Sequence, residues 1–169
     1  MTKKSHAMTT LTPSFRRARH ADLVSIVRML ADDALGAKRE RLETPLPVSY
    51  LKAFEAIDAD PNNELWVGVD DDDNAIAVLQ ITFTPFLTHQ GGWRASIEGV
   101  RVDKRLRSSG VGQKLIETAI DRARARACHV VQLTSDKQRP EAIRFYERLG
   151  FKATHEGMKL SLAASTSRT

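Results

Sequence analysis

Between Gly110 and Ala127, the residues Leu115, Ile116, Ala119, Ile120 and Ala123 recur at the spacing of one helical face, while Arg122 and Arg126 fall off it. The same period runs through Leu23, Ile26, Val27 and Leu30. It predicts a helix over Asp22–Leu30, with Asp22 in the first turn, where a carboxylate suits the helix dipole. A third helix is expected over Val48–Ala59, closed by Asp60-Pro61. A fourth runs from Pro140 to Leu149, with proline well placed at its first position and Gly150 as its stop. Other stretches are rich in strand formers: Phe15–Arg19, Glu64–Val69, Ala75–Phe86, Trp93–Asp103 and His129–Leu133. Phe151–His155 and Met158–Leu162 are expected to close the fold as a hairpin about Glu156-Gly157. The resulting order, β-α-α-β-β-β-α-β-α-β-β, predicts an α/β fold: a mixed central sheet with helices on both faces.

Polar, aperiodic segments bound this pattern. Residues 1–13 read as a flexible arm, in which Met8 is a candidate natural start, and 163–169 read as a flexible tail. Residues 14–162 are expected to form a single domain. Ala31–Pro47 is a charged loop bounded by proline. The run Asp70-Asp71-Asp72-Asp73-Asn74 reads as a solvated hairpin turn, because adjacent carboxylates do not converge on one ion and the glycine and distal glutamate of a calcium loop are missing. No metal is expected. The single Cys128 excludes an internal disulfide and reads as a small core residue. No apolar run is long enough to span a bilayer, and no basic-then-apolar leader opens the chain, so a cytoplasmic location is expected.

The strongest chemical signal is Arg107-Ser108-Ser109-Gly110-Val111-Gly112, which lies between a strand-like and a helix-like segment. The first N–H groups of a helix have no internal partner, and the dipole favours negative charge there. Glycines let a phosphate approach the backbone closely. Arg107 adds a forked cation. A P-loop reading fails because Gly112 is followed by Gln113-Lys114-Leu115 instead of Lys and Ser or Thr. A dinucleotide fingerprint fails because position 115 is leucine.

The remaining pattern, Arg-x-x-Gly-x-Gly after Val100-Arg101-Val102-Asp103, resembles the pyrophosphate loop of the GNAT superfamily of acetyl-CoA-dependent N-acetyltransferases. A second stretch, Arg139 to Phe151, looks like that superfamily's later helix, which carries Phe-Tyr and ends in Leu-Gly-Phe. The resemblance covers roughly Ser14 to Leu162. It implies a GNAT-like mixed sheet and transfer of an acetyl group from acetyl-CoA to a primary amine, directly, in a ternary complex. By that resemblance, Val100, Arg101 and Val102 would border the cofactor's pantetheine arm, and Arg107, Ser108, Ser109, Gly110, Val111, Gly112 and Gln113 would hold its pyrophosphate. The Val100 N–H is the candidate for polarising the thioester oxygen.

Tyr146 stands at the position where the superfamily commonly protonates the departing sulfur; at a reference pKa of about 10 a phenol keeps its proton at neutral pH. It also belongs to an apolar stripe with Ala142, Phe145 and Leu149, so a packing role is the competing account. Glu98 is the candidate general base. Strand alternation is expected to put Glu98, Val100 and Val102 on one face, and Glu-x-Val-x-Val resembles the spermidine/spermine acetyltransferase branch. The alternative for Glu98 is pairing with Arg94 or Arg101. Arg139 occupies a position where many members have asparagine, with Ser135, Asp136 and Gln138 as candidate substitutes.

The net charge of +5 and pI of about 9.6 raise a nucleic-acid reading, but Lys3, Lys4 and Arg168 in the expected tails supply three of those charges, and no aromatic residues interleave with basic ones. A basic cleft for an anionic cofactor also accounts for the excess. The main alternative to an enzyme is a non-catalytic acyl-CoA-binding or regulatory module on the same fold. The acceptor amine and a homodimer are both left open. Asp32, Asp33, Glu40 and Glu43 in the Ala31–Pro47 loop could attract a cationic amine, though a solvated loop is the simpler account.

Overall fold

In the sheet, β1 (Ser14–Arg17), β2 (Asn63–Val69), β3 (Ala75–Pro85), β4 (Trp93–Val102) and β5 (Cys128–Leu133) lie in the order β1-β2-β3-β4-β5. The first four are mutually antiparallel and β5 joins β4 in parallel. The computed structural model describes residues 12–32 and 36–162, which divide into two compact units between Leu133 and Thr134. The first unit holds the sheet with α1 (Leu23–Ala31), α2 (Val48–Ala59), the single turn α3 (Thr88–Gly91) and α4 (Val111–Ala125). The second holds α5 (Pro140–Arg148) and the chain that follows it.

The core forms where apolar stripes meet. Leu79, Ile81 and Phe83 of β3 are fully buried, as are Leu115 and Ile116 of α4. Alternation along β2 assigns the two faces. Val67 and Val69 cluster with Ile26 and Met29 of α1, while Glu64 and Trp66 point the other way and meet Arg122 of α4. The mixed sheet with flanking helices is therefore as the apolar pattern predicts. No helix among the described residues is long and apolar enough to cross a membrane.

The acidic run forms a turn. Asp70 Oδ1 accepts from the N–H groups of Asp72 and Asn74, and Asp73 pairs with Arg16 and Arg19. Among the described residues no group of three or more His, Cys, Asp or Glu side chains is placed to hold a metal. The expected closing hairpin is a correction: residues 151–162 contain no strand. Met158, Leu160 and Leu162 are all exposed. A two-stranded hairpin by itself is marginal in water, and Glu156, at the expected turn, is instead ion-paired to Lys137 at 2.6 Å.

One buried ion pair fastens α4 to the sheet. Glu64, 3% exposed, accepts from Arg122 Nη2 at 2.7 Å, Arg122 Nε at 3.1 Å and Trp66 Nε1 at 2.7 Å. Burial pushes the Glu64 carboxyl up, but the bonds from Arg122 and Trp66 and the charges of Arg122 and Arg17 outweigh it and hold it below the usual range. A carboxyl depressed on folding stabilises the fold above its unfolded pKa and loses that contribution as pH falls through its folded value. Arg122→Ala leaves a buried carboxylate without its main partner. The expected cost near neutral pH is about 2–3 kcal/mol, at the low side because the guanidinium is partly solvated. The gap to wild type should narrow in acid as Glu64 protonates, since without Arg122 burial favours the neutral form. Urea unfolding across pH 4–8 measures it; a gap independent of pH would refute this account.

Candidate active site

The site begins where β4 leaves β5. Their pairing runs from Trp93↔Cys128 to Ile97↔Leu133, and β4 then continues to Val102 beyond the last residue of β5. One edge of residues 98–102 therefore has no β5 neighbour, and its backbone groups can accept a strand-like ligand. On the other edge Glu98 pairs with Gln80 and Arg101 with Val78, so Gly99 and Val100 together oppose Leu79. This is a β-bulge, and Gly99 adopts φ +63°. A Cβ at Gly99 would meet nothing within 4 Å, so glycine is required for its backbone conformation and not for space.

The bulge corrects the expected face. Glu98 and Arg101 oppose Gln80 and Val78, which share one side of β3, whereas Val102 opposes Ala77 on the other. Glu98 thus does not share a face with Val102. It lies on the side of Val78, which clusters with α1. Glu98 is also exposed, so the desolvation cost expected for a carboxylate in an apolar strand is absent. Of the two basic neighbours considered for it, Arg94 donates to Gln132 and Arg101 Nη1 donates to the Val100 carbonyl at 2.8 Å.

Beyond β4 the chain turns sharply into α4. Asp103 accepts from the Arg105 N–H at 3.0 Å and holds its guanidinium by two bonds of 2.9 and 2.8 Å; the Arg105 side chain in return lowers the Asp103 carboxyl to about 2. Ser109 bonds the Leu106 carbonyl through its hydroxyl at 2.6 Å. Ser108 at φ +64° and Gly110 at φ +87° bring the chain round to the helix. Gly110 is the N-cap, and no side chain caps α4. Helices are usually capped by a side-chain oxygen, which occupies a first-turn N–H group. The Gln113 side chain donates to Glu117 at 2.8 Å. Residues 107–113 thus lead, after the strand that carries Val100, Arg101 and Val102, through a tight turn into the uncapped end of α4. Beside it lies a cleft of about 230 Å³ lined by Arg28, Met29, Asp32, Asp103, Lys104 and Arg105.

The α1–α2 segment is tied down by its own contacts. Tyr50 donates its hydroxyl to Glu40 at 2.9 Å, Glu43 accepts from Arg41 at 2.8 Å, and Asp32 pairs with Arg107. Asp33 lies outside the described residues. Cys128 is half-buried, and burial pushes its thiol up, which disfavours the thiolate.

Tyr146 belongs to the second unit. It is half-buried on the apolar face of α5, edge-on to Phe145 at 5.1 Å and to Phe151 at 5.9 Å between ring centroids. Ahead of α5, Asp136 accepts from the N–H groups of Gln138 and Arg139 and so closes a turn.

The profile of the Acetyltransferase (GNAT) family matches residues 27–151, well over half of the chain. The chain belongs to this family. It is 36% identical over 87 residues to a glucosamine 6-phosphate N-acetyltransferase of Trypanosoma brucei brucei, a match covering 52% of this chain and 57% of that enzyme. It is 26% identical over 146 residues to a peptidyl-lysine N-acetyltransferase of Salmonella typhimurium, covering 83% and 84% of the two chains. A crystal structure described as a transcriptional regulator from Bacillus halodurans C-125 superposes with a TM-score of 0.86 at 55% identity, covering 89% of this chain and 99% of that one.

The motif reading did not include Gly99 and did not connect Asp32 to Arg107. A lone glycine inside an apolar strand was the available signal for the bulge. Gly99→Ala should destabilise the fold by about 1–2 kcal/mol, the cost of a left-handed backbone for a residue with a Cβ. Gly99→Asn should cost less, because asparagine tolerates that region. Thermal unfolding of the three proteins checks this; an alanine variant as stable as wild type would mean the bulge relaxes freely.

Proposed function

We propose that the protein is an N-acetyltransferase that moves the acetyl group of acetyl-CoA to a primary amine by direct transfer in a ternary complex. The observation that supports this best is the pairing of an open, bulged β4 edge with a helix whose N-cap is glycine. The edge suits an amide-bearing arm, and the uncapped helix suits the pyrophosphate at the other end of the same ligand. Acetyl-CoA supplies an activated acetyl thioester.

The chain's residues would then act as follows. The Val100 N–H donates to the thioester oxygen, where negative charge develops. Glu98 takes the proton of the attacking amine, directly or through water. Tyr146 gives its proton to the sulfur as the carbon–sulfur bond breaks, a role that rests on its place in the Phe-Tyr motif. The amine's nitrogen forms the new bond to the acetyl carbon, and coenzyme A leaves as the thiol. The two curated relatives take an amino-sugar phosphate and a lysine side chain, and a primary amine is the chemistry common to both.

A second reading, a regulatory module that binds acyl-CoA without turnover, is favoured by one observation: the 55% identical structure is described as a transcriptional regulator. Calorimetry with acetyl-CoA and mass spectrometry of a mixed amine panel separate the two. An acetylated product supports the enzyme; cofactor binding with no product on any amine supports the module.

On an accepted amine, Tyr146→Phe should lower turnover by about 10²–10⁴-fold with a much smaller change in cofactor affinity. Unchanged steady-state rates would return Tyr146 to a packing role. Glu98→Gln should slow the reaction near pH 7, where an alkylamine is mostly protonated, and lose less at high pH, where the amine arrives neutral. Superimposable pH–rate profiles for the variant and wild type would remove Glu98 from the chemistry.

A further inference from the structure

Asp32 is the C-cap of α1, a helix whose negative dipole end disfavours a carboxylate there. Two cations from the far side of the chain compensate it. Arg107 Nη2 donates to both the Asp32 carbonyl oxygen at 3.2 Å and its Oδ2 at 3.1 Å, and Lys104 Nζ lies 3.6 Å from Oδ1. Arg107 is 50% exposed and Asp32 30%, so this pair adds little to stability as an ordinary surface salt bridge. Its effect lies in where it holds Arg107. An arginine side chain has many rotamers, and a ligand that must immobilise it bears that entropic cost. The two bonds to Asp32 both come from Nη2 and restrain the guanidinium; an arginine has further donors on Nε and Nη1 with which to meet an anion.

We propose that Asp32 is a positioning residue for the cofactor: it holds Arg107 in the orientation that receives the pyrophosphate of acetyl-CoA. This rests on the reading of Arg107–Gln113 as the pyrophosphate site. It also makes the last residue before the 33–47 segment a mechanical part of the cofactor loop. The carboxylate does not cancel the loop's charge, because Arg107 and Lys104 together exceed it by one while Arg105 and Asp103 neutralise each other.

The test is calorimetry of acetyl-CoA with the full chain and with Asp32→Ala, Asp32→Glu, Arg107→Ala and the Asp32→Ala/Arg107→Ala double variant, alongside steady-state kinetics. Asp32→Ala should weaken binding by about 2- to 10-fold, the immobilisation of one long side chain. Its KM for acetyl-CoA should rise by more than kcat falls. Asp32→Glu should recover part of the affinity. The double variant should bind no more weakly than Arg107→Ala, since Asp32 acts only through that guanidinium. Unchanged or tighter binding by Asp32→Ala overturns the proposal, the latter because it would make the carboxylate a competitor of the phosphate. Additive losses in the double variant also overturn it. A wild-type chain that fails to bind acetyl-CoA overturns the cofactor reading itself, and this inference with it; binding by wild type that is insensitive to Asp32 overturns this inference alone.

Discussion

The site depends on the way β4 is released from its neighbours. A strand in mid-sheet normally spends its backbone donors and acceptors on both sides. Here β5 pairs only as far as Ile97, and the bulge at Gly99-Val100 interrupts the β3 ladder a few residues later. The two interruptions fall on the same short length of β4. Along that length β5 supplies no strand partner, and on the β3 side two residues stand against one. Gly99 makes it possible, because few other residues adopt its backbone conformation cheaply.

Elsewhere in the first unit, Leu79 and Ile81 of β3 and Leu115 and Ile116 of α4 are fully buried. The Glu64–Arg122 pair fixes α4 to β2 across the sheet, near the helix end opposite the turn. Polar contacts then set the fine geometry. Asp103 folds the turn by capping Arg105, Ser109 closes it on Leu106, and Asp32 gathers Arg107. Asp103 and Asp32 are thereby each paired with a cation of this same chain.

The two units contribute differently. The first carries the uncapped start of α4 and the length of β4 that β5 does not pair. The second carries Tyr146, whose half-buried ring is set by Phe145 and Phe151. A tyrosine in an apolar stripe with its hydroxyl at one end serves packing and proton donation equally well, so its apolar surroundings decide nothing between those roles.

Much of this was legible in the chain itself. Helical and strand periods located α1, α2, α4, α5 and all five strands to within a few residues, because the period of apolar positions is written in the side chains. The turn into α4 was legible for a similar reason: a glycine N-cap after Arg107-Ser108-Ser109 is local chemistry that needs only the turn it sits in. Three features were not. The face of Glu98 follows from a register shift between β3 and β4, which depends on where two distant segments pair and not on the alternation within either. The pairing of Asp32 with Arg107 joins residues 75 positions apart, and the loop reading of 31–47 carried no sign of it. The alternation of Met158, Leu160 and Leu162 suggested a strand, yet a strand exists only when another supplies its hydrogen bonds. The sequence determined which residues are apolar, helical or able to turn; tertiary structure alone decided which backbone groups were left unpaired and which charges met.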